Sequence, residues 1–148
     1  MFDIAEHTTS KLKELGGTWI DCGSGLRLKL AAWGNRNAQR RFQQEISANP
    51  TLKRLIGKKE WTTGVSETEE QLVQDMLVEI VAETVLMDWE GVVERSTPIP
   101  FNAANSRRLL KNRTFFGIVR EFSEEQAYFR EESAAADAEA LKKTSSGA

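Results

Sequence analysis

Leu86-Met87-Asp88-Trp89-Glu90-Gly91-Val92, then a polar spacer to Thr97, then Pro98-Ile99-Pro100-Phe101-Asn102-Ala103-Ala104-Asn105: this stretch decides how the chain folds. Here the longest apolar pattern of the sequence stops at a tryptophan, a glycine follows, and two prolines lead into a new helix. Each proline holds the residue before it in extended geometry, and Asn102 has the side chain to cap the following turn. Phe101, just before the cap, is placed as a hydrophobic staple. Trp89 is expected to cover the same junction. The leading reading of Trp89, Gly91, Pro98, Pro100, Phe101 and Asn102 is therefore structural.

Upstream, Ser66-Glu67-Thr68-Glu69 matches a capping box. A helical pattern follows it to about Trp89. Val73, Met76, Leu77, Ile80 and Met87 fall on one side of that helix, and Val78, Ala82 and Val85 form a second stripe nearly opposite. A helix apolar on two faces must be covered on both. It is either the central helix of its own domain or a core helix that also meets another subunit. Downstream, residues 102–112 read as a short basic helix around Leu109 and Leu110. Thr114 can cap a last helix, with Phe115, Ile118, Val119, Phe122 and Phe129 on one face and Phe116 and Tyr128 off it.

Nearer the N-terminus, Leu26, Leu28 and Leu30 alternate with Arg27 and Lys29 behind Gly23-Ser24-Gly25. This is the one convincing hairpin signal. Asn35 is a plausible cap for a helix carrying Ala38, Phe42 and Ile46. Leu52, Leu55 and Ile56 suggest further turns after Pro50, and residues 57–65, with Trp61, read as a loop. The fold class expected is mainly α, a single helical domain with a small N-terminal β-hairpin. Residues 1–17 form an N-terminal segment expected to be mobile, 18–132 the helical domain, and 133–148 a flexible Ala-rich tail.

The chain has 148 residues, 40% apolar and 28% charged, with a net charge of −2. That suits one globular domain with a core. No apolar run approaches the ~18 residues that span a bilayer, and the start of the chain lacks signal-peptide features. The expected location is the cytoplasm. Charge is segregated: residues 27–59 hold nine Lys or Arg against Glu45 alone, and residues 60–94 hold ten acids and no Lys or Arg. Such blocks can draw copies of the chain together or simply be solvated helix faces.

Catalysis has little to stand on. The one histidine, His7, falls in the N-terminal segment expected to be mobile, which leaves Ser-His-Asp, Cys-His and His-rich metal arrangements without a base or ligand, and the one cysteine, Cys22, excludes a thiolate cage or internal disulfide. Gly23-Ser24-Gly25 lacks the Lys-Ser/Thr of a phosphate loop. No enzyme activity, cofactor or metal is expected. Nucleic-acid binding is the competing class, because Arg36, Arg40, Arg41, Lys53, Arg54, Lys58 and Lys59 lie between Trp33 and Trp61. The acidic block and a sequence pI near 5.6 weigh against it.

The succession from Trp89 and Gly91 through Pro98-Ile99-Pro100-Phe101 to Asn102 resembles the signature of siphophage tail assembly chaperones. The resemblance implies a mainly helical, non-virion factor that binds the tape measure protein and assists tail tube assembly in the host cytoplasm. The tail tube protein is the other implied partner, and the two charge blocks add self-association as an expectation. A chaperone for a long amphipathic helix needs apolar grooves, and Val78, Ala82 and Val85, with Phe116 and Tyr128, are the candidate partner-binding residues. A structural tail or head–tail connector protein and a small nucleic-acid-binding regulator are the alternatives.

Overall fold

Glycine and serine in the sequence Gly23-Ser24-Gly25 fold the first hairpin. Ser24 and Gly25 take φ of 55° and 79°, the paired positive values that suit a two-residue loop to the twist of its strands. The loop joins β1 (Thr18–Gly23) to β2 (Leu26–Leu30) in antiparallel register, Ile20 opposite Leu28. The computed structural model describes residues 10–56 and 66–130, together with Ile4. The expectations for His7, for the loop over residues 57–65 with Trp61, Lys58 and Lys59, and for the tail over residues 133–148 lie outside the described residues.

Before the hairpin, α1 (Lys11–Gly16) is capped by Ser10. It is tied to the far end of the described chain: the Ser10 amide donates to the Phe129 carbonyl (2.7 Å), and Lys13 Nζ donates to that of Arg130 (3.3 Å). After the hairpin, Asn35 caps α2 (Arg36–Ala48), and α3 (Pro50–Ile56) follows. The capping box forms in full at the start of α4 (Glu67–Thr84).

The third strand of the sheet corrects the sequence reading. Residues 86–90 do not finish the long helix; they form β3 (Leu86–Glu90), antiparallel to β2 in a three-stranded sheet ordered β1-β2-β3. A second, two-stranded ribbon pairs β4 (Val93–Glu94) with β5 (Thr97–Pro98). The fold is therefore not a single helical domain with only a small N-terminal hairpin. The error has a physical cause. Lys29 faces Asp88 and Leu30 faces Leu86, so Met87 is an extra residue at an irregularity in the ladder. A bulge of that kind breaks alternation. Leu86 and Trp89, three apart, are consequently both buried, a spacing that in sequence imitates a helix.

From Asn102, α5 (Ala103–Leu110) leads through a short corner into α6 (Arg113–Glu124), and a 3₁₀ turn (Gln126–Phe129) ends the described chain. Asn112 caps α6 by accepting from the Phe115 amide, in place of the Thr114 expected from sequence. The two stripes of α4 both pack against other elements of the chain. Val73, Met76 and Ile80 pack with Ala38, Leu52 and Leu55 of α2 and α3. Val78 and Val81, with Val85, pack with Leu28, Leu86 and Trp89 of the sheet and with Leu110 and Val119 of α5 and α6. Thus α4 is the central helix between two apolar clusters.

Candidate partner-binding site

The sequence landmarks build one corner. Trp89, 5% exposed, donates its indole N–H to the Ile99 carbonyl at 2.8 Å. Its ring meets Phe101 edge-to-face at 4.9 Å between centroids and Phe115 at 6.0 Å, geometries favoured by the ring quadrupoles. Asn102 accepts from the Asn105 amide at 2.7 Å, and Asn105 Nδ2 returns to the Pro100 carbonyl at 2.9 Å. Pro98 pairs with Val93 in the small ribbon. Gly91 lies so close to the first hairpin that a Cβ there would stand 2.0 Å from the Gly25 carbonyl oxygen. The corner clamps the sheet to α5 and α6.

The candidate partner-binding residues scatter. Val78 and Val85 are buried, and Ala82 is half-buried against the sheet-side cluster. Phe116 is buried, edge-on to Trp33 at 6.0 Å. Tyr128 alone is exposed, tilted against Phe122. Of the five, Val85 lines a concave apolar surface. That surface is a cleft of about 240 Å³ where the start of α2 crosses the end of α4. Trp33, Ala38 and Phe42 form one wall; Leu77, Val81 and Val85 form the other.

The cleft is smaller than the roughly 300–1,000 Å³ of typical small-molecule sites, so an anchor side chain suits it better than a cofactor does. Trp33 is fixed from behind, with the Arg120 guanidinium 5.2 Å from its ring centre and its own amide donating to the Ser123 carbonyl. Asn35 holds the crossing. Its Nδ2 donates to the Ala32 and Thr84 carbonyls, while its Oδ1 accepts from the Ala38 amide. Sequence reasoning placed Ala38 and Phe42 on the narrow apolar stripe of a surface helix and missed the cleft. The available signal was that this narrow stripe on α2 cannot cover the whole width of the apolar face on α4.

The two charge blocks meet within one chain. Arg27 pairs with Glu90 at 3.0 Å, Arg41 with Glu83 at 2.7 Å and also with Glu45, and Arg54 with Glu69. Arg107 of α5 adds Glu79 at 2.8 Å. Three of these pairs, Arg27–Glu90, Arg41–Glu83 and Arg54–Glu69, join the basic block to the acidic one within the chain. Of the basic stripe, Arg41 and Arg54 are engaged by carboxylates, and Phe116 and Arg120 pack against Trp33. Burial pushes the Cys22 thiol upward, away from the thiolate a nucleophile needs. Among the described residues no group of His, Cys, Asp and Glu could hold a metal ion, and no helix is long and apolar enough to cross a membrane.

The YdaY prophage protein family matches over residues 34–143. The chain therefore belongs to the YdaY prophage protein family and is phage-derived. No curated protein and no solved structure matches it.

Proposed function

We propose that this chain is a phage tail assembly chaperone, a non-catalytic factor that binds the tape measure protein in the host cytoplasm and assists tail tube assembly. Its phage origin is compatible with that role, and the observation that carries the reading is the apolar cleft between α2 and α4. A tape measure protein is an elongated helical chain with apolar stripes that need cover before assembly. Grooves that accept i, i+3 and i+4 anchors give such cover without chemistry. The sequence resemblance at Trp89, Pro98, Pro100 and Phe101 supports the same reading, with those residues as its framework.

The test is co-expression with the tape measure protein of the same phage. The expected result is that the tape measure protein becomes soluble and co-purifies with this chain, while finished virions lack it. Recovery of the chain in the virion at fixed stoichiometry would favour a structural tail or head–tail connector instead. A tape measure protein that stays insoluble and unbound would overturn the proposal.

A further inference from the structure

We infer that Asp88 closes the free edge of the three-stranded sheet to a second copy of this chain. The inference does not depend on any client of the α2–α4 cleft; it concerns what keeps one copy from pairing with another. β3 is an edge strand. β2 lies on one side of it, and among the described residues no strand lies on the other. Such an edge presents backbone N–H and C=O groups in a row, a template on which a like strand can pair.

The ladder tells which groups face that edge. In an antiparallel pair, opposite residues alternate between exchanging both backbone bonds and exchanging neither. Leu28 stands opposite Trp89, yet the Trp89 amide donates to Asp88 Oδ1 at 2.7 Å. Trp89 is therefore at a position whose amide points away from β2, and the carboxylate of the preceding residue already occupies that donor. A strand arriving at this edge has to displace a charge-assisted hydrogen bond, the stronger kind, before it can pair.

Charge adds a second barrier. Asp88 and Glu90 flank the buried Trp89, so both acids lie on the sheet face turned away from the core, opposite Lys29 and Arg27 of β2. Glu90 is paired with Arg27 at 3.0 Å, whereas among the described residues no ion pair takes Asp88. Two β3 strands paired about a two-fold axis at Asp88 would set Asp88 opposite its own copy. Pairing centred on Trp89 would set it opposite Glu90 of the second copy. Like charges directly opposite destabilise a sheet. The other edge strand repeats the local chemistry: on β1, Asp21 Oδ1 accepts from the Gly23 amide at 2.9 Å, and the 3₁₀ turn at Gln126–Phe129 packs beside that strand as well.

Sedimentation equilibrium of the full chain, over a concentration series, compares the parent with Asp88→Ala and Glu90→Ala. The mass of Asp88→Ala should climb above the parent's towards that of a dimer as concentration rises. Glu90→Ala loses an acid of the same strand but leaves the Trp89 amide covered, so it should follow the parent. Amide exchange by NMR locates the contact. In dilute Asp88→Ala the Trp89 amide should exchange at least about tenfold faster than in the parent, and it should regain protection as the dimer forms. If Asp88→Ala does not melt cooperatively, Asp88→Thr, a strand former without the carboxylate, replaces it with the same expectations.

An Asp88→Ala mass that follows the parent's at every concentration would overturn the inference. So would an unchanged exchange rate in the dilute variant, a dimer that leaves the Trp89 amide unprotected, or association of Glu90→Ala to the same extent. A parent that itself pairs through β3, seen as Trp89 protection rising with concentration, would overturn it too.

Discussion

Gly91 and Gly34 share a positive φ, 78° and 70°, but only Gly91 sits against another backbone. A Cβ on Gly34 meets open space, so Gly34→Ala should cost only the conformational penalty, about 1 kcal/mol. Gly91→Ala adds a Cβ 2.0 Å from the Gly25 carbonyl oxygen, a contact that neither backbone can relieve without moving the hairpin. Its cost is expected to exceed that of Gly34→Ala by at least about 2 kcal/mol in urea denaturation; equal costs would mean the hairpin yields freely. Trp89 allows a finer dissection. Trp89→Ala removes a buried aromatic and should cost about 3–5 kcal/mol. Trp89→Phe keeps a ring against Phe101 but leaves the Ile99 carbonyl without its indole donor, so a loss of about 1–3 kcal/mol is expected. A Trp89→Phe protein as stable as the parent would show that packing alone holds the corner.

At the scale of elements, the capping box of α4 makes stability depend on pH in a definite direction. The Ser66 amide, and after it the Arg54 guanidinium, hold the Glu69 carboxyl below its ordinary value. A carboxylate depressed by folding stabilises the protein above the unfolded value and loses that contribution as pH falls through the folded one. The melting-temperature gap between the parent and Glu69→Gln should therefore be present at neutral pH and close below the ordinary carboxylate range; a gap independent of pH would refute the assignment. Caps of this sort were legible in sequence because their chemistry is local: Asn35, Ser66 and Asn102 each accept from the amide three residues on. So was the first hairpin, whose turn residues and alternation agree. The third strand was not, since its bulge at Met87 lends Leu86 and Trp89 a helical spacing that only pairing with β2 resolves. The cleft was hidden for a related reason. Helical periodicity names the apolar faces of α2 and α4, whereas a cleft is the part of those faces that their crossing leaves uncovered.

At the scale of the molecule, the family match begins at Gly34, just after a hairpin that supplies a large part of the core. Ile20, Leu28 and Leu30 of that hairpin are all at most 1% exposed and pack directly with Val81, Val85, Leu86 and Trp89. Backbone pairing follows the same division: β2 is the middle strand, so removing the hairpin leaves β3 with no partner in its sheet. The Ala31 amide also donates to the Val85 carbonyl at 2.8 Å, and the Trp33 amide to that of Ser123 at 2.9 Å, which ties the end of α4 and the end of α6 to this N-terminal part. A chain starting at Gly34 would keep every helix from α2 to α6 but expose the sheet-side face of α4 and an open strand edge, a template for aggregation. Secondary structure without fixed packing is the expected outcome. Residues 34–148 produced alone should show helical circular dichroism, bind a dye for exposed apolar surface, and melt without a cooperative transition. Adding residues 10–33 as a separate peptide should restore the transition if the hairpin acts through the contacts seen here. A sharp, dye-free melt of residues 34–148 alone would instead show that the α2–α4 cluster of Leu52, Leu55, Met76 and Ile80 suffices as a core.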